Sequence, residues 1–184
     1  MRIKSLALAG LLFAAATPAL AADYVSQPGS TLVFATQYQG ETFAGTFPGF
    51  TARLSFDPAQ LAASKLDVVI PLAGANSKNA ERDDTLKGTD FFDIAKFPQA
   101  RFTATKFRSL GGNNYAADGS LSLRGATKPV TLNFTWAAGA KPVLSGKATV
   151  KRLDFNVGGG DWADTSIIPN EVAVSTKVTF APAK

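Results

Sequence analysis

The sequence predicts one all-β domain built from eight antiparallel strands, and three observations carry that expectation. Val, Thr, Phe, Leu and Gly dominate after residue 23, and long patterns of helical period are missing. Eight segments read as strands by alternation or by β-propensity. Gly- and Asn-containing turns separate several of them by only a few residues, and short connections make antiparallel neighbours.

The chain opens with an export signal rather than with part of the fold. Met1-Arg2-Ile3-Lys4 is a basic stretch, Leu6 to Ala16 is an apolar run, and Ala19-Leu20-Ala21 supplies the small-x-small cleavage pattern. Residues 1–21 are therefore expected to be removed after Ala21, leaving one domain over 22–184. The apolar run is too short to cross about 30 Å of hydrocarbon as a helix. No cysteine follows it to carry a lipid anchor. The expected compartment is the periplasm.

The strands are expected near 31–38, 42–56, 65–73, 101–108, 114–124, 128–137, 143–152 and 171–180. In the first, Leu32, Phe34 and Tyr38 share a face; in the third, Leu66, Val68, Ile70 and Leu72 do so. In the sixth the shared face holds Val130, Leu132, Phe134 and Trp136, and the last alternates Val172, Val174, Val178 and Phe180 against Ala173, Ser175, Lys177 and Thr179. The second segment changes phase. Phe43 and Phe47 lie on one parity, Phe50, Leu54 and Phe56 on the other, and a bend at Pro48-Gly49 would return both sets to one face. Turns are expected at Gly111–Asn114, Gly125–Thr127 and Ala138–Ala140.

One long connection interrupts this pattern, a short helical and aromatic insertion around 77–97. Ser77 or Asn79 can cap a helix running through Leu86, and Gly88 can end it. Asp83 and Lys87 then stand i,i+4 in the favourable order. Phe91, Phe92, Ile94 and Phe97 follow before Pro98, and a connection this apolar needs a buried place to dock.

Composition removes most chemistry. Cysteine and histidine are absent and the single methionine is the initiator. Disulfides, thiol chemistry, Cys/His zinc sites and catalytic triads that use an imidazole are excluded, and no cofactor is expected. Removing Arg2 and Lys4 takes the 19 basic residues to 17 against 14 acidic ones, and those charges are scattered. The densest basic group, Lys147, Lys151 and Arg152, is not the clustered face of a nucleic-acid binder. Hydrophobic residues make up 46% and charged ones 18%, enough for a core that holds an exported chain together without disulfides.

Eight antiparallel strands with one apolar face close into a barrel or stack as a sandwich. A barrel removes exposed edges and at this strand number can hold one small ligand. Fourteen phenylalanines favour a lined interior over a solid core. A membrane-spanning barrel would instead turn its apolar residues outward behind aromatic girdles.

Specific residues then suggest a family. Arg82-Asp83-Asp84-Thr85-Leu86 to Asp90-Phe91-Phe92-Asp93, followed by Phe97-Pro98 and Phe102, resembles the RD-x-x-L, DFFD, FP-x-x-x-F signature of the YceI-like family. Gly119-Ser120-Leu121-Ser122-Leu123-Arg124-Gly125-Ala126-Thr127-Lys128-Pro129-Val130 is similar to its G-D-L-T-x-R-G-V-T-K-P-V hairpin, and Arg152-Leu153-Asp154-Phe155-Asn156-Val157-Gly158 to its third motif. Thr85 stands where many members have His, Ser120 where Asp is usual and Asn156 where Gly is usual. The resemblance spans the chain beyond the signal. It implies a lipocalin-like antiparallel barrel, exported and without established catalytic activity, that binds an isoprenoid lipid such as a polyprenyl phosphate or a ubiquinone-like quinone. It leaves transient membrane-surface contact and a homodimer open.

On that reading the cavity lining is expected from Phe34, Phe43, Phe47, Phe50, Leu54, Phe91, Phe92, Phe97, Leu121, Leu123, Phe134 and Trp136, each of which packs equally well in a solid core. Arg82, Lys87, Arg124 and Lys128 are the candidates for holding a polar head group; the plainer alternatives are a solvated helix face and a soluble hairpin. Asp83 with Asp84, or Asp161 with Asp164, gives a competing hydrolase reading, and the Gly-rich stretch around Asp161 a weak calcium-loop reading. A solid β-sandwich acting as an interaction module is the third alternative.

Overall fold

Alternation along the strands puts every large apolar set on one face, and the sheet curls until that face is inside. The computed structural model describes residues 22–183, so the expected export signal lies outside the described residues. Ten strand segments form: β1 (Ala22–Ser26), β2 (Thr31–Tyr38), β3 (Glu41–Thr46), β4 (Thr51–Phe56), β5 (Lys65–Pro71), β6 (Gln99–Gly111), β7 (Asn114–Leu123), β8 (Ala126–Ala137), β9 (Val143–Lys151) and β10 (Glu171–Pro182). All pairings are antiparallel, in the order β1-β4-β5-β6-β7-β8-β9-β10, and β1 pairs back onto β10 to close the ring.

The ring has eight positions because two of its walls are broken strands. β10 pairs with β1 through Phe180–Pro182 and with β2 through Ala173–Lys177 along the same edge. β1 and β2 thus form one wall interrupted at Pro28-Gly29, and β3 and β4 form the next, interrupted at Pro48-Gly49, where Gly49 has φ +76°. The break at 48–49 restores Phe43 and Phe47 to the side that Ala52, Leu54 and Phe56 face. β1 was not foreseen: five residues, Ala-Asp-Tyr-Val-Ser, are too few for alternation to register. A register shift between Ala104 and Lys106 changes inward parity on β6 from Phe102 and Ala104 to Phe107.

Outward positions carry charge and hydroxyls. Arg101 pairs with Asp67 across β6 and β5 at 2.8 Å, and Arg108 with Asp118 across β6 and β7 at 2.7 Å. The fold is thus an all-β, closed, eight-position barrel, and a two-layer sandwich is excluded.

The connection between β5 and β6 holds a single α-helix, α1 (Ala80–Lys87). Asn79 caps it, its side-chain oxygen accepting from the Arg82 N–H at 2.9 Å, and Gly88 follows its last turn. The expected Asp83–Lys87 pair does not form. Asp83 turns back to accept from the Ser77 backbone N–H (2.7 Å) and hydroxyl (2.6 Å), and Lys87 lies 3.6 Å from Asp84 instead. Two donors already fixed at the helix entrance outcompete one flexible ammonium.

Candidate functional site: a half-filled barrel

The interior divides along the barrel axis. At one end, aromatic rings fill the section completely. Phe56 lies at their centre, 5.1 Å from Tyr115, 5.2 Å from Trp136, 5.7 Å from Phe134 and 5.9 Å from Phe107, with Tyr24 and Phe180 closing around Trp136. Tilted and edge-on ring pairs of this kind each add about 0.5–1.5 kcal/mol beyond their buried area.

Above this floor the barrel is hollow. A cavity of about 490 Å³ runs to the opposite end, walled by Leu32, Phe34, Leu66, Val68, Ile70, Phe102, Leu121, Leu132, Val150, Val174 and other apolar side chains. Its size is that of a site for a ligand with several tens of heavy atoms.

Two connections roof the cavity: 72–98, which contains α1, and 152–170, which contains the 3-10 turns Arg152–Phe155 and Gly160–Trp162. Phe92 contacts Phe47 at 5.8 Å and Phe91 contacts Trp162 at 5.5 Å, so the two connections share one aromatic layer. Their backbones meet where the Gly158 N–H donates to the Asp90 carbonyl at 2.7 Å.

Eight of the twelve residues expected to line the cavity do so: Phe34, Phe43, Phe47, Phe50, Phe91, Phe92, Leu121 and Leu123. Leu54, Phe134 and Trp136 also point inward, but they belong to the solid floor, because parity fixes a side chain's face and not its depth. Phe97 is the fourth exception. It sits over the β7–β8 turn, where a Cβ on Gly125 would come within 3.0 Å of its ring.

The four candidate cations separate as well. Arg82 alone lines the cavity. Its Nε donates to Ser77 Oγ at 2.7 Å, its Nη2 to the Ser77 carbonyl at 3.0 Å, and its guanidinium lies 4.1 Å over the ring of Phe43. Lys87 is engaged with Asp84, away from the lining. Arg124 donates to the carbonyls of Asn156 and Thr89, stitching the β7–β8 turn to both roofing connections. Lys128 is exposed and outside the lining. Thr85 lines the mouth, its hydroxyl donating to the Glu81 carbonyl at 2.9 Å.

Of the carboxylates, burial raises the pKa of Asp83, but hydrogen bonds from Ser77 and the charges of Lys87 and Arg82 outweigh it and leave it lowered. Asp164 accepts from the Ser166 backbone and hydroxyl, which also holds it low. Asp83, Asp84, Asp161 and Asp164 all lie off the cavity lining. Among the described residues no group of three or more acidic side chains converges to hold a metal ion.

Arg152 is the residue that sequence reasoning undervalued. Only 4% exposed, it donates to five backbone carbonyls: Nε to Pro169 (3.1 Å), Nη1 to Val157 (3.0 Å) and Gly158 (2.5 Å), Nη2 to Trp162 (2.8 Å) and Ile168 (2.8 Å). It borders the cavity and fixes the 157–169 roof. Burial pushes its pKa down from the ordinary arginine value. The available signal was an arginine followed by three consecutive glycines, Gly158–Gly160, in a segment rich in carbonyls that need donors.

Comparison with known proteins agrees with the fold. Residues 24–180 match the YceI-like domain. A UPF0312 protein of Yersinia pestis (strain Pestoides F) is 35% identical over 167 residues, covering 84% of this chain and 85% of that protein. One from Photorhabdus laumondii is 35% identical over 159 residues, covering 80% and 82%. Among solved structures, Burkholderia cenocepacia BcnA superposes with a TM-score of 0.78 at 32% identity, over 82% of this chain and 95% of that one. A polyisoprenoid-binding domain from Saccharophagus degradans superposes with a TM-score of 0.68 at 16% identity, over 90% and 100%, a likeness of fold alone.

Proposed function

The chain belongs to the YceI-like family, and from that premise we propose that it is a non-catalytic carrier for an isoprenoid lipid, a polyprenyl phosphate or a ubiquinone-like quinone, held in the hollow half of the barrel. The observation that carries this reading is a continuous apolar cavity of about 490 Å³ ending on an aromatic floor. Polar groups near its mouth include Arg82, Asn79 and Thr85. A prenyl tail is apolar, flexible and branched, and a bore of rings and branched aliphatics matches it with dispersion contacts along its length.

The energetics favour reversible carriage. Each buried CH₂ is worth about 0.8 kcal/mol against water. A prenyl lipid leaves a bilayer, however, and apolar-to-apolar transfer nearly cancels that gain. Net capture rests on cavity packing and polar-end contacts, set against the lost freedom of the chain.

The basic start, apolar run and small-x-small site at 1–21 support a periplasmic place of work. Between membranes, a carrier would meet bilayer surfaces transiently. The hydrolase reading loses its geometric basis, since the weighed aspartates do not face the cavity.

The test is organic extraction and mass spectrometry of protein purified from its own host, followed by uptake of offered prenyl lipids from vesicles. A stoichiometric prenyl mass is expected. Protein that emerges lipid-free and takes up no prenyl lipid would contradict the proposal.

A further inference from the structure

We propose that the aromatic floor sets the length of the cargo: the barrel takes an apolar tail of about four prenyl units and excludes long polyprenyl chains. The inference rests on the carrier reading above and concerns only the tail, whichever polar end it carries.

The hollow half is blind. Leu54, Phe56, Trp136 and Phe180 are buried side chains of the floor, and the edge-on rings around Phe56 leave no bore between them. Phe180 both lines the cavity and lies 6.1 Å from Trp136, so it marks where the open space stops.

Two measures of that space agree. A prenyl unit occupies about 100 Å³ at the packing density of a protein interior, so a cavity of about 490 Å³ holds about four to five of them. The lining runs from Leu32 to Tyr38 on β2 and from Phe180 to Val172 on β10. Strand rise and barrel tilt turn those spans into a depth of about 15–20 Å. An extended prenyl unit covers about 5 Å over its carbon–carbon bonds, so this depth takes about three to four units in line. An eight-unit tail would leave about half of its carbons outside.

Those outer carbons decide the selection, because the donor is a bilayer. Carbons that pass from bilayer to cavity exchange one apolar surrounding for another, and that step is nearly neutral. Carbons that pass from bilayer to water are disfavoured about fourfold per methylene. Even with the excess coiled on itself, an eight-unit tail loses to a four-unit tail on the order of a hundredfold or more. A three-unit tail leaves part of the wall without partners and loses dispersion contacts instead.

In the experiment, vesicles holding equal amounts of three-, four- and eight-unit chains on one head group are offered to the protein. Native mass spectrometry identifies the bound lipid, once with prenyl phosphates and once with prenyl benzoquinones. Four units are expected over eight by about a hundredfold or more in whichever series binds, and over three by about a few-fold. Ala52 faces the cavity one inward position above Leu54, so Ala52→Leu raises the floor and should move the preference to three units. The wild-type competition decides the matter even where that variant fails to fold. Eight units captured as well as four, or a preference that folded Ala52→Leu leaves unchanged, would overturn the inference and leave the carrier standing. Capture of no chain in either series would overturn the carrier and the inference together.

Discussion

Arg152 concentrates the cost and benefit of a buried charge in one side chain. Its guanidinium is withdrawn from water without a carboxylate, and five carbonyls replace the lost hydration. Arg152→Met keeps much of the volume and orphans those carbonyls, so a loss on the order of 3–5 kcal/mol is expected by urea denaturation, with amide exchange rising first over 157–169. Asp118 gives the opposite case, a half-exposed carboxylate on the outer face of the barrel. Arg108 and Thr131 donate to its carboxylate and hold its pKa at about 2, below the ordinary 3.8. A carboxyl lowered on folding stabilises the protein above its unfolded pKa, and this contribution fades as pH falls from 3.8 toward about 2. Asp118→Asn should therefore lower the melting temperature slightly at neutral pH and converge with wild type near pH 2. A difference that persists unchanged through that window would show that the carboxylate charge is not involved.

Among the elements, β2 and β3 depend on a missing side chain. The Phe34 ring lies against Gly45, its cross-strand partner, so closely that a Cβ there would overlap it. Gly45→Ala is expected to push the ring into the cavity, cost about 1–3 kcal/mol and reduce lipid uptake together with thermal stability. Uptake and melting temperature equal to wild type would show that the strand shifts instead. Much at this scale was legible beforehand. The Pro48-Gly49 phase change, a cap at Ser77 or Asn79 and the Gly88 stop follow from local chemistry, because the deciding groups are sequence neighbours, and the fold selects Asn79. The register shift at Ala104–Lys106 was not, since a bulge is set by pairing with β7 and carries no fixed residue signature. Asp83 likewise had a plausible partner in Lys87, and only the folded loop brings Ser77 closer.

For the molecule as a whole, alternation established which residues share a face and could not establish how far along the axis the interior is filled. Phe134 and Trp136 share parity with Val130 and Leu132, yet the first pair closes the barrel and the second lines its hollow half. Depth depends on where strands from distant parts of the chain bring Phe56, Phe107 and Tyr115 to one level, which no single segment encodes. The central claim is that the hollow half is the container, and Ala148, a small residue in its wall, allows that to be tested without touching the mouth. Ala148→Trp should occupy the space with an indole and keep the fold, with a melting temperature at or above wild type, since a void is removed. Native mass spectrometry after incubation with prenyl-lipid vesicles is the direct measurement. One lipid per wild-type chain and none on the folded, filled variant is the predicted result; equal lipid occupancy of both proteins would contradict it.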